Sequence, residues 1–307
     1  MNISAFFDDQ LKNWDLARQN FSKLQSRDCK TLVFTGFSAL VQFNSERIRS
    51  TNAHVDKKSI ESRACFLCGE NRPSEQKTLD FPPNYAILVN PYPIFDRHLT
   101  IPDIEHRDQK IEGRIDDMLA LAKELQDFTV LYNGPKSGAS APDHFHFQAV
   151  PKGLLPVEKD LKVFGGKTLI SGSENGNIWY LRDYLRKVFV FESKNIDFIK
   201  AKFAVLYDQL AKFFPDAVEP GLNITAWFEG ETCCLSVFPR SKHRPCQFFV
   251  EGAEKTLISP GAVDMAGVII TARKEDFDKV NESLIADIFS QVSINDEQEK
   301  IIYEKLK

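Results

Sequence analysis

The 307-residue chain predicts an α+β fold, a mainly antiparallel β-sheet with helices packed against it. Three observations carry that expectation. Short apolar runs bounded by proline, glycine and asparagine recur along the chain, as strands do. Between them lie segments whose apolar residues return at helical spacing. Residues 143–150 end in a strict alternation, with His144, His146 and Gln148 on one side and Phe145, Phe147 and Ala149 on the other. Successive side chains of a strand face opposite ways, so the polar three share a face while the phenylalanines enter a core.

Taken in order, residues 2–27 place Phe6, Phe7, Leu11, Trp14, Ala17, Phe21 and Leu24 on one helical stripe, with Leu16 off it. This predicts an amphipathic helix lying on the body of the protein. Strands are expected at 31–34 and 39–43. Residues 47–55 alternate Ile48, Ser50, Asn52 and His54 against Arg47, Arg49, Thr51 and Ala53. They read as a strand whose two arginines either touch an anion or face solvent at an edge. Strands at 85–90 and 98–102, a helix at 113–128 and a strand at 129–132 follow. Residues 154–177, rich in glycine and serine, read as a long irregular region, a lid or an insertion. Then come a helix at 194–214 and a hairpin, 223–229 and 232–238, turning at Gly230. Further strands are expected at 248–250 and 267–271, with a helical tail from about residue 274. An internal echo links His98-Leu-Thr-Ile-Pro, with its following His106-Arg, to Leu235-Ser-Val-Phe-Pro and its following His243-Arg.

Composition narrows the class of protein. Apolar residues at 43% and charged residues at 27% are ordinary for a globular chain. A net charge of −4 gives no reason to expect a nucleic-acid partner. No apolar run approaches the ~20 residues of a membrane span. No basic segment followed by an apolar one opens the chain, so a cytoplasmic protein without a membrane partner is expected. Six cysteines in that setting read as thiols or metal ligands before disulfides.

Three stretches carry chemistry. Before the alternating strand lies Asn133-Gly-Pro-Lys-Ser-Gly-Ala-Ser140, a loop of open backbone N–H groups, hydroxyls and one cation that suits a phosphate chain. His144 and His146 beside it read as a split pair, one attacking phosphorus and the other held for support or metal. Two core histidines, or a metal pair, are the alternatives. Cys65-Phe-Leu-Cys68, followed by Gly69 and Pro73, reads as half a metal site in a knuckle-like turn, as a redox pair or as two ordinary thiols. Arg240, Lys242 and His243 form a cationic cluster suited to phosphoryl oxygens, or else a solvated turn.

Together these residues resemble the galactose-1-phosphate uridylyltransferase branch of the histidine-triad superfamily. The exit from Gln148 to Glu158 is closer to its phosphorylase members, those acting on diadenosine tetraphosphate or GDP-L-galactose. The resemblance implies a single unit over 1–307 made of two such halves, with 30–158 catalytic and 178–307 a degenerate copy. It puts His146 where the family has its nucleophile, which takes the nucleotide's α-phosphate. Gln148 falls where a glutamine hydrogen-bonds a phosphate oxygen; a neutral amide there favours transfer to a phosphate acceptor over hydrolysis. Cys65, Cys68, His106 and His144 fall where uridylyltransferases hold structural zinc. Asn133, Lys136, Ser137 and Ser140 fall in the phosphate-binding loop. The implied partners are a nucleotide and a phosphate or sugar phosphate. A histidine-triad hydrolase and a zinc-stabilised nucleotide-binding protein are the rival readings.

Overall fold

The computed structural model describes residues 2–48 and 57–307. β1 (Cys29–Phe34) and β2 (Phe37–Phe43) form a tight hairpin near the start. A first run follows: β3 (Leu79–Phe81), β4 (Tyr85–Val89), β5 (Leu99–Pro102), β6 (Phe128–Asn133) and β7 (His146–Pro151). A second run consists of β8 (Lys167–Ser173), β9 (Gly176–Leu181), β10 (Phe189–Ser193), β11 (Leu222–Glu229) and β12 (Thr232–Pro239). Both runs join one ten-stranded sheet in the order β3-β4-β5-β7-β6-β11-β12-β10-β9-β8. Every pairing in it is antiparallel, as the sequence predicts. β13 (Val268–Thr271) pairs in parallel with β2, so the two ends of the chain close a separate three-stranded sheet.

The strand order repeats. In each run three strands form a meander, a helix crosses over (Ile115–Glu124 or Ile196–Phe213), and a final pair inserts in reversed order. The two arrays meet at β6 and β11, where Asn133 lies opposite Asn223. In this arrangement β5 corresponds to β10 and β7 to β12. The echo seen in the sequence equates β5 with β12 and therefore does not mark equivalent strands. Both segments are strands leaving through a proline, and that local likeness is all they share.

Alternation assigns the two faces of the sheet. Val130, Tyr132, Phe145, Phe147 and Ala149 enter a core covered by Ile3–Asn13, Ile115–Glu124, Ile196–Phe213 and Asp296–Leu306. Leu131, Val150, Val190 and Trp227 face a second core, beneath the small sheet and helices Pro156–Val163 and Glu282–Val292. The chemistry-bearing side of β7 faces this second layer.

Several expectations need correction. The helix read over 2–27 is broken by Trp14, whose extended backbone (φ −131°, ψ 99°) keeps its ring buried and restarts the helix at Asp15. Residues 154–177 are no irregular lid. Pro156 opens a helix whose Glu158 side chain accepts from the Leu155 N–H, and 167–177 belong to the outer hairpin β8–β9. Glycine and serine there supply the turn and the exposed strand face, so composition mimicked a loop. Residues 248–250 make no strand; Cys246–Phe248 is a single 3-10 turn and Phe249 is exposed. Pro245 precedes it and no strand pairs with it, so the aromatic pair has no sheet to alternate against. Of the strand read over 47–55, Arg47 ends a 3-10 turn (Ser45–Arg47), while residues 49–56, including Arg49 and His54, lie outside the described residues. No helix among the described residues is long and apolar enough to cross a membrane.

Candidate active site and metal centre

β7 positions the central histidine. Phe145 and Phe147 pack with Tyr85 and Tyr132 in the first core, which turns His146 and Gln148 to the opposite face. His146 is buried, and its Nδ1 lies 2.9 Å from the carbonyl of His144. A carbonyl only accepts, so Nδ1 carries the proton and Nε2 keeps its lone pair. Burial holds His146 down to about 4, so it is neutral near pH 7. A buried amide fixes the backbone beneath it. Gln109 accepts from the His146 N–H at 2.7 Å and donates to the carbonyls of His146 and Asn133, both at 2.9 Å. Gln109 carried no sequence signal, since it sits in a short charged stretch (Asp108-Gln-Lys110) without periodicity.

The amide of Gln148 is oriented by a second relay. The Ile94 N–H donates to His98 Nδ1 at 3.2 Å, so the His98 proton sits on Nε2 and is given to Gln148 Oε1 at 2.7 Å. Burial, with Arg47 nearby, pushes His98 down to about 3, which keeps this tautomer neutral. With its oxygen engaged, Gln148 presents its NH2 as a donor. The sequence showed His98 only as the start of a strand; its role depends on a contact 50 residues away.

Two cavities meet at Arg47, Ser140 and Gln148. The larger, about 690 Å³, runs past His146 and is lined by Trp14, Phe66, Leu67, Leu88 and Tyr92, with the amides of Asn71, Gln76 and Asn90 among them. The smaller is about 60 Å³ and is lined by Asn133, Gly138, Ser140, His243, Arg244 and Ser259 with the Gly261–Ala262 backbone. A water needs roughly 10–15 Å³ by the same measure, so this space admits a tetrahedral oxyanion and not a nucleoside. Its lining carries Arg47, Arg244 and one carboxyl, that of the buried Asp264; burial and the charges of Arg244, Arg240 and Lys136 drive His243 down to about 4.

The loop between β6 and β7 closes against the second half of the chain. Gly138 (φ +97°) approaches Gly261 so closely that a Cβ would come within 2.7 Å of its Cα. Asn133 Oδ1 accepts from the Ala262 N–H at 2.7 Å and from Asn223 Nδ2 at 2.8 Å. The N–H groups of Gly138, Ala139 and Ser140 make no hydrogen bond among the described residues. Of the predicted loop residues, Asn133 and Ser140 line the small cavity, Lys136 is exposed at the tip and Ser137 is buried away from it.

Arg240 departs from its expected place. It is buried, and its five N–H groups go to Val292 O, Asn223 Oδ1, Pro260 O, Lys242 O and His243 O. No donor remains for a ligand, so Arg240 props up the cavity wall. Lys242 is exposed and lines neither cavity. Arg244, which the sequence did not separate from its neighbours, lines the small cavity together with Arg47, and is held by Ser259 Oγ at 3.2 Å and stacked on Phe248 at 4.1 Å.

Cys65, Cys68, His106 and His144 converge, with one ligand atom from each lying within 4.8 Å of all the others. Sγ to Nδ1 distances are 3.2 Å for Cys65–His144, 3.2 Å for Cys68–His106 and 3.5 Å for Cys68–His144. Tetrahedral zinc with bonds of about 2.3 Å to sulfur and about 2.0 Å to nitrogen would set such pairs about 3.5 Å apart. His144 Nε2 donates to Asp103 O at 2.8 Å, which leaves Nδ1 as the ligand atom. Burial pushes the Cys65 thiol up, but the His144 ring and the Leu67 and Cys68 N–H groups beside its sulfur outweigh it and bring it to about 6. Burial and the neighbouring Cys65 push Cys68 up to about 11. The donor set fits a closed four-coordinate zinc site.

Comparison with known proteins bears on the fold. Residues 6–151 match the family model described as a domain of unknown function, DUF4922. Residues 162–306 match that of the GDPGP1-like C-terminal domain. No curated protein sequence matches. The crystal structure of yeast Ap4A phosphorylase Apa2 is similar at a TM-score of 0.63 and 17% identity, over 91% of this chain and 96% of that one. The same enzyme with AMP gives 0.57 at 18% identity, over 93% and 96%. With Ap4A it gives 0.54 at 17%, over 92% and 97%. The chain has the fold of yeast Ap4A phosphorylase, and its residues 162–306 carry a GDPGP1-like C-terminal domain.

Proposed function

We propose that this chain is a nucleotidyltransferase of the phosphorylase type, cleaving an NDP-sugar or a dinucleoside polyphosphate. The observation that carries the reading is His146. It is neutral with a free Nε2, and it lines a large, partly apolar groove, two residues before Gln148, where that groove meets the small cavity holding Arg47 and Arg244. In the first step Nε2 attacks the α-phosphorus, an N–P bond forms, and the bridging P–O bond breaks to release the remaining phosphate ester. In the second, an oxygen of the acceptor phosphate attacks that phosphorus and the N–P bond breaks, releasing a longer nucleotide and restoring His146. Gln148, held by His98, donates to a non-bridging oxygen in both steps. Its neutral amide does not activate water, so phosphate or a sugar phosphate is the acceptor, seated among Arg244, Ser140 and the 138–140 N–H groups.

The two five-stranded arrays are then two histidine-triad-like halves of a single unit, the first catalytic and the second supplying the acceptor wall. Cys65, Cys68, His106 and His144 would hold zinc, which would supply structural cross-linking. Intact-protein mass after mixing with GDP-hexose, UDP-glucose and diadenosine tetraphosphate separately tests the mechanism. An added nucleoside monophosphate is expected with one of them, and none in His146→Asn, which should stay folded. Turnover that persists in His146→Asn would remove the mechanism, and monophosphate release without added phosphate would indicate hydrolysis instead.

A further inference from the structure

The metal cluster and the large groove share one segment of chain. Phe66, Leu67, Asn71 and Pro73 line the groove, and all lie within or just beyond the Cys65–Cys68 knuckle. Arg63, which precedes it, lines the groove as well and stacks on Phe66 at 5.2 Å. This wall has little scaffold of its own. Between Lys57–Glu61 and β3 the only regular element is the 3-10 turn Gly69–Asn71, and no strand pairs with the segment. Its apolar contacts form a separate cluster of four residues, Cys65, Leu67, Cys68 and Ala141, apart from both main cores. Its hydrogen bonds are mostly internal: Cys68 N–H to Cys65 O at 3.3 Å, and Arg72 Nε and Nη2 to Leu67 O at 2.9 and 2.7 Å. Outside residues 65–72 the segment is pinned by Arg63 to Asp143 at 2.7 Å and by Gln76 to Val89 O at 3.0 Å. Among the described residues, 65–72 themselves reach the body by hydrogen bonds only through the cluster, where His144 adjoins β7 and His106 follows β5.

Asn71 connects the two sites directly. Its Nδ2 donates to the carbonyl of Cys65 at 3.0 Å, which assigns the amide and leaves Oδ1 as an acceptor on a groove-lining residue. An acceptor among Phe66, Leu67 and Trp14 suits a nucleobase, which offers a flat apolar face and an N–H edge.

We infer that metal binding at Cys65, Cys68, His106 and His144 builds the nucleoside wall, so that metal and nucleotide bind with positive coupling. The inference rests on reading the groove as the nucleoside subsite. Without the metal the knuckle keeps its turn but loses its cross-links to two distant segments, and a ligand entering the groove must then order the wall itself. Coupling between equilibrium affinities is reciprocal, so nucleotide must tighten metal binding by the same factor as metal tightens nucleotide binding.

The test uses the full chain loaded with one equivalent of zinc and the same protein after chelation. Affinities for GMP, AMP and UMP are measured by titration calorimetry in both states. Zinc affinity is measured by competition with a chromophoric chelator, with and without the saturating monophosphate. The expected result is nucleotide binding at least about tenfold weaker without zinc, and zinc binding stronger by the same factor with nucleotide. Equal nucleotide affinity in the two states overturns the coupling while leaving the groove assignment intact. Failure of all three monophosphates to bind zinc-loaded protein overturns the groove assignment and the inference with it. Should chelation unfold the chain, zinc-loaded Asn71→Ala and Phe66→Ala decide. Both are expected to keep their zinc and to raise KM about tenfold with kcat little changed. Wild-type KM in both variants overturns the inference.

Discussion

Replacing Gln109 with methionine isolates the buried amide that holds the nucleophile strand. The two side chains are similar in length, but a thioether can replace none of the three hydrogen bonds, at 2.7, 2.9 and 2.9 Å, that Gln109 makes to His146 and Asn133. At roughly 1 kcal/mol net per bond, the loss is about 3 kcal/mol. That is a large fraction of a typical margin of about 5–15 kcal/mol, yet it leaves the protein folded. The same bonds set where the His146 backbone lies, and a shift of about 1 Å at a reacting group costs roughly a hundredfold in rate. Urea unfolding reads the first effect, and the rate of nucleotidyl-protein formation at saturating nucleotide reads the second. A variant that loses the expected stability but forms the adduct at the wild-type rate would refute the positioning argument. A variant with an unchanged urea midpoint would refute the energetic one.

Three further outcomes follow from contacts in the same region. His98→Ala removes the donor that fixes Gln148 Oε1, so adduct formation is expected to slow by about tenfold to a hundredfold while nucleotide binding persists; an unchanged rate would show that Gln148 orients itself. Glu219, which accepts from Tyr132 Oη at 2.6 Å and the Ile111 N–H at 2.5 Å, is pushed by burial up to about 7. Between its unfolded value near 4.5 and about 7 the folded state holds a proton that the unfolded state has lost. Stability therefore falls as pH rises through that window, by up to about 3 kcal/mol, and levels above it. Glu219→Gln should flatten that slope, and parallel stability profiles for the two proteins would contradict it. Arg240→Met removes five hydrogen bonds, three of them buried, so a loss of at least about 3 kcal/mol is expected in thermal or urea unfolding; wild-type stability would show that water replaces the guanidinium.

What the sequence made legible was local and periodic. The alternation at 144–150 separated His146 and Gln148 from Phe145 and Phe147 because a strand has a period of two and one of its faces is buried. The hairpin around Gly230 could be read because a short turn between two apolar runs leaves few other conformations. Cys65 and Cys68 declared half a metal site through their spacing, but His106 and His144 joined them only through the family resemblance. Residues 154–177 misled because glycine and serine occur both in irregular loops and in exposed edge hairpins.

Other features exist only in three dimensions. Nothing near Arg240 in the chain says that Val292, Pro260 and Asn223 will claim its hydrogen bonds, and a buried guanidinium looks in sequence like an exposed one. Gln109 and His98 gain their roles from partners 37 and 50 residues away, too far apart for spacing to reveal. The small cavity joins a loop before β7 to a segment before β13, and the glycine contact between them, Gly138 to Gly261, spans more than a hundred residues of chain. By itself the sequence determined which residues could carry the chemistry, because side-chain identity and strand period are local. Which of them reach the site was decided by the tertiary structure, because burial and hydrogen-bond partners are set by chain segments distant in sequence.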